Sequence, residues 1–92
     1  MGGELADLAV LKATILRVLR GQLTERDEPA FFRDDIFFLG VRQVEAQDPD
    51  WLMTVLRDRT YHRDARGLVA LNMTHAGHDS LIVELFAERA PN

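Results

Sequence analysis

The side chains with the most chemical potential in this chain lie in its second half. His75-x-x-His78-Asp79 sets two imidazoles three residues apart with a carboxylate beside the second, and His62 lies upstream. Imidazole nitrogen and carboxylate oxygen are ligand types that zinc and nickel accept. The ordinary alternative is a polar turn around Gly77, whose side chains have no common direction. That alternative is adopted here, so no metal and no cofactor is expected. A second group is basic: Arg57, Arg59, Arg63 and Arg66 stand within ten residues against only Asp58 and Asp64. Clustered guanidiniums can bind phosphates or guanine edges. They can equally form a solvated helix end whose charges pair locally. The paired acids Asp34-Asp35 and Asp48-x-Asp50 could carry protons in acid–base work. Adjacent residues on a helix point apart, however, and Asp48 and Asp50 suit a helix start. There is no cysteine nucleophile and no phosphate-cradling or nucleophile-elbow motif. The expectation is that the chain is not an enzyme.

Length and charge narrow the field further. Ninety-two residues allow one domain with one modest core. An apolar content of 47% and a charged content of 28% fit a globular chain. The net charge of −4 is unusual for a phosphate binder, because Lys and Arg dominate affinity for nucleic-acid backbones. Charge is nevertheless polarised. Residues 25–35 carry five acids against Arg26 and Arg33, whereas residues 57–66 carry four arginines against two acids. The apolar stretch from Leu5 to Leu19 is interrupted by Asp7, Lys12 and Arg17, and Glu4 precedes it. That pattern suits neither a signal peptide nor a span. A soluble, cytoplasmic chain is the expectation, and without cysteines it needs no oxidising compartment.

Four regions must position these groups. Leu8, Leu11, Ile15, Val18 and Leu19 recur at helical steps, and Gly21 suits the cap that ends a helix there. This helix is apolar over most of its girth, so either its own domain or a second subunit must cover it. A second helix starts at Pro29. It ends at Gly40 or continues through it to about Ala46. Phe31, Phe32, Phe37 and Phe38 lie in this segment as core candidates. Asp48-Pro49-Asp50 signals the start of a third helix, running to about Thr60. Thr54, Arg57 and Tyr61 lie on its outer face. From Gly67 the period changes. The run from Leu68 to Thr74 and the run from Leu81 to Phe86 have strand length, and about five turn-forming residues join them. The pair is expected to form a β-hairpin.

Three helices followed by a terminal hairpin make an α+β domain, and the element order resembles the winged helix-turn-helix superfamily. The passage from Leu52 and Leu56 to Gly67-Leu68-Val69 is similar to the third-helix-to-strand passage of bacterial winged-helix regulators, with a longer and more basic connector. The resemblance implies a third helix laid in the major groove of double-stranded DNA and a wing on the adjacent backbone. It would make Thr54, Arg57 and Tyr61 the groove-reading residues, and Arg59, Arg63 and Arg66 the phosphate contacts. The function it implies is transcriptional regulation by a homodimer assembled through the first helix. The acidic caps Asp48 and Asp50 and the weakly basic tip at His75 and His78 suit that role poorly. The alternative is a protein–protein interaction or dimerisation module without DNA binding.

Overall fold

The computed structural model describes residues 7–33 and 35–88. Among them are six helices and no strand: α1 (Leu8–Leu19), α2 (Pro29–Arg33), α3 (Ile36–Gln47), α4 (Pro49–Leu56), α5 (Arg63–Ala70) and α6 (His75–Ala87). The expected α+β fold is therefore corrected to an all-helical one. With the hairpin absent, the element order that carried the winged-helix resemblance is absent too.

The start of α1 is capped by Asp7, whose side chain accepts from the Ala9 N–H. Its end is closed by Gly21 at φ +74°, a backbone conformation that glycine enters without steric cost. The Gln22 N–H donates to the Arg17 carbonyl and the Gly21 N–H to the Val18 carbonyl, the paired bonds of a Schellman close. The segment from Pro29 divides into two helices, because Asp35 adopts φ +64° between them. Aspartate is among the few non-glycine residues that tolerate this conformation. Gly40 does not interrupt α3, which runs from Ile36 through it to Gln47. Phe31 and Phe32 on α2 pack against Phe37 on α3, with ring centroids 5.0–5.7 Å apart, and tie the short helix to its neighbour.

Asp48 caps α4 by accepting from the Trp51 N–H, with Pro49 in the first turn. The same carboxylate meets Lys12 Nζ of α1 at 2.6 Å, and the Lys12 ammonium also stands 5.0 Å from the Trp51 ring centre. The α4 helix stops at Leu56 rather than reaching Thr60. His62 then starts α5, its Nδ1 accepting from the Asp64 N–H.

The first expected strand, Leu68 to Thr74, is the end of α5 and the connector that follows it, and the second, Leu81 to Phe86, lies wholly within α6. Val69 and Ala70 are buried three and four residues after Arg66, and Met73 is buried about one turn further on. Positions 66, 69, 70 and 73 follow the helical period, with a charged residue occupying the first apolar position. In α6, Leu81 and Leu85 are buried four residues apart, while Val83 and Phe86 face outward. Gly77 lies inside the first turns of α6 rather than in a loop.

The core is one cluster. Ile15, Val18 and Leu19 of α1, Phe37, Val41 and Val44 of α3, and Leu52 and Leu56 of α4 meet Val69 and Ala70 of α5 and Leu81 and Leu85 of α6. The α1 helix packs on α3 and α5, and α5 packs on α6. The chain itself therefore covers the inner side of α1. No described helix is long and apolar enough to cross a membrane.

Candidate functional site: the α5–α6 surface

The four arginines of residues 57–66 turn toward Glu84 of α6 and Glu88, the residue that caps its end. Arg57 at the end of α4 makes a two-pronged pair with Glu84, Nε to Oε1 at 2.8 Å and Nη2 to Oε2 at 2.7 Å. Arg66 makes another with Glu88, both contacts at 2.6 Å. Arg59 Nε stands 3.6 Å from Glu88 Oε1. Arg63 donates from Nη1 to the Glu88 carbonyl at 2.7 Å. Three of the guanidiniums thus meet two carboxylates, those of Glu84 and Glu88, and the fourth meets the Glu88 carbonyl.

Arg66 is the exceptional member. It is 2% exposed, the one buried charged residue among those described. Its Nε donates to the Tyr61 carbonyl and its Nη1 also reaches the Leu56 carbonyl at 3.4 Å. It therefore joins the connector between α4 and α5 to the last turn of α6. A buried charge of this kind requires full pairing, and no buried side-chain nitrogen or oxygen lacks a partner among the described residues. The Arg66 guanidinium, through its hydrogen bonds, holds the Glu88 carboxyl below the usual carboxylate range; Arg57 does the same for Glu84.

The remaining groove-reading candidates are dispersed in role. Thr54 is exposed, and its hydroxyl donates to the Asp50 carbonyl one turn back. Tyr61 is half-buried and packs on the core. Arg57, Arg59, Arg63 and Arg66 hold the α4–α5 connector and α6 together, and only Arg66 is removed from solvent. The sequence leaves open whether the four arginines share one surface; the structure sets Arg57 against Glu84, and Arg59, Arg63 and Arg66 against Glu88.

Beside this charged seam lies an apolar groove of about 470 Å³ between α5 and α6. It is lined by Gly67, Leu68, Leu71, Ile82, Leu85 and Phe86, with Arg63 and Asp64 at its edge. Phe86 projects from the rim at 84% exposure, and Leu71 stands 60% exposed. Gly67 keeps the groove open where a larger side chain would fill it; a methyl group there would lie 3.9 Å from Leu85 Cδ1. The sequence signal for this surface is a helix whose second half is apolar on more than one side. The run Leu81-Ile82-Val83 with Leu85-Phe86 carries more apolar side chains than one core can cover. The chain matches no protein-family model, no curated protein and no solved structure.

Proposed function

We propose that this protein is an all-helical interaction module that self-associates through the α5–α6 groove. One observation carries the reading: Phe86 stands almost fully exposed next to an apolar groove on the same face. A protruding ring and a receiving groove on one surface can satisfy each other across a two-fold axis. Each copy then places its Phe86 over Gly67 and Leu71 of the other. Aromatic anchors entering pockets are the usual energetic centre of an interface. Arg63 and Asp64 at the edge supply opposite charges that a two-fold arrangement can pair.

This surface replaces the first helix as the proposed dimer contact, because α3 and α5 already cover the inner side of α1. The alternative reading, duplex binding through the arginines, has less support. Their guanidiniums meet carboxylates and carbonyls of their own chain, and phosphate would have to displace them. Sedimentation equilibrium tests the module directly. The wild-type chain is expected to dimerise, and Phe86→Asp and Leu71→Asp to be monomers with unchanged helical circular dichroism. A wild-type monomer at several hundred micromolar would overturn the reading. Salt-sensitive binding to mixed-sequence duplex, lost in Arg57→Ala, would favour the alternative.

A further inference from the structure

The sequence places His75, His78 and Asp79 in a stretch that reads as a turn, where their directions are unrelated. The fold places them in the first turns of α6. That change matters, because residues three and four apart on a helix share a face. His75 Nε2 lies 3.3 Å from Asp79 Oδ2, and His78 Nδ1 lies 3.4 Å from Asp79 Oδ1. One donor atom from each of the three residues falls within 4.8 Å of the others.

We propose that this helical turn is a chelate for one zinc-class transition-metal ion. Tetrahedral zinc binds imidazole nitrogen and carboxylate oxygen at about 2.0–2.2 Å, which places its donors roughly 3.4 Å apart. Two of the observed separations are close to that value, His75 to one Asp79 oxygen and His78 to the other, so both imidazoles already face the same carboxylate. The rest of the closure requires only rotation about side-chain bonds of His75 and Asp79, both exposed. His78 is partly buried, which limits its freedom and anchors the site.

The backbone beneath the site is held independently of any ion. Glu45 of α3 accepts from the Thr74 N–H at 2.8 Å and from its hydroxyl at 2.6 Å. Arg42 Nε donates to the Asn72 carbonyl at 3.0 Å. The ligand-bearing turn is therefore fixed to α3 before binding. The positive end of the α6 dipole works against a cation here, and the Asp79 carboxylate offsets it. Two nitrogen donors and one oxygen select zinc, nickel or copper over magnesium and calcium, which favour all-oxygen sites. Three protein ligands leave the fourth tetrahedral position for water or for a donor on another molecule.

The experiment is a calorimetric titration of untagged protein with zinc chloride at about pH 7.5, where ordinary imidazoles are neutral. One ion per chain is expected to bind saturably with micromolar affinity. His75→Ala and His78→Ala should each weaken binding by at least about tenfold, since losing even an outer hydrogen-bond partner of a metal ligand costs that much. His62→Ala should bind as wild type, because His62 lies at the start of α5 and outside the cluster. Phe86→Asp should also bind as wild type, which separates this site from the dimer reading. No saturable binding below millimolar zinc would overturn the proposal. Wild-type affinity in both histidine variants would do so as well.

Discussion

Arg66 shows how one side chain can decide the architecture around it. A charged residue is rarely fully buried unless paired, and here pairing with Glu88 and two backbone carbonyls makes burial possible. Replacing it with an apolar residue strands the Glu88 carboxylate and two carbonyls at the protein's edge. Removing one partner of a buried pair costs about 3–5 kcal/mol, and Glu88 can still reach water, so Arg66→Met is expected to lose about 3 kcal/mol in chemical denaturation. The double variant with Glu88→Gln should recover part of that loss. The pair also sets an acid limb. The Glu88 carboxyl is depressed in the folded state, chiefly by its hydrogen bonds to Arg66. Its stabilisation is therefore complete above the ordinary carboxylate range and is lost as pH falls through the depressed value. Denaturant midpoints measured from pH 7 downward should fall less steeply for Glu88→Gln than for wild type. Equal slopes would remove the pair from the account.

At the scale of elements, the glycines separate helix interiors from helix ends. Gly40 sits inside α3, where a methyl group would meet Leu11 Cδ2 at 3.5 Å, an ordinary contact. Gly40→Ala should therefore stabilise by about 0.5–1 kcal/mol through helix propensity. Gly77 also sits inside a helix, yet a methyl group there would lie 2.9 Å from Met73 Cε and 3.0 Å from Glu45 Oε2. Methionine can turn aside, but Glu45 is engaged with Thr74. Gly77→Ala should lose the propensity gain and loosen the start of α6, so its melting temperature should lie below that of Gly40→Ala. The helix starts were legible in sequence where capping is local. Asp48-Pro49 is such a case, since the cap bond spans three residues. The α5 and α6 helices were not legible as helices. Short unbroken runs such as Leu68-Val69-Ala70-Leu71 and Leu81-Ile82-Val83 show no period, and the buried face of α5 begins with an arginine.

At the scale of the whole molecule, two surfaces stand apart by chemistry: an apolar groove on α5 and α6, and a histidine–carboxylate turn at the start of α6. Self-association of the proposed kind would make folding depend on concentration, because only the folded chain dimerises. The wild-type melting temperature is expected to rise by roughly 3–5 °C per tenfold increase in concentration once the chain is largely dimeric. Phe86→Asp should remove the dependence. A concentration-independent wild-type transition would point to a groove that stays solvated.

Local chemistry determined the parts of this protein that depend on neighbours in sequence. These are the amphipathic α1, its glycine close, the Asp48 cap and the aromatic segment around Phe37. Tertiary structure decided whether the last third became strand or helix, and with it the surfaces that the last third presents. Short apolar runs satisfy both conformations, and the choice rests on partners far along the chain. Glu45 accepts from Thr74 across 29 positions, and Arg66 meets Glu88 across 22. Those long-range pairs tie the start of α6 to α3 and its end to α5. Of the basic segment only Arg66 is thereby buried, and the helical turn at the start of α6 brings His75, His78 and Asp79 together.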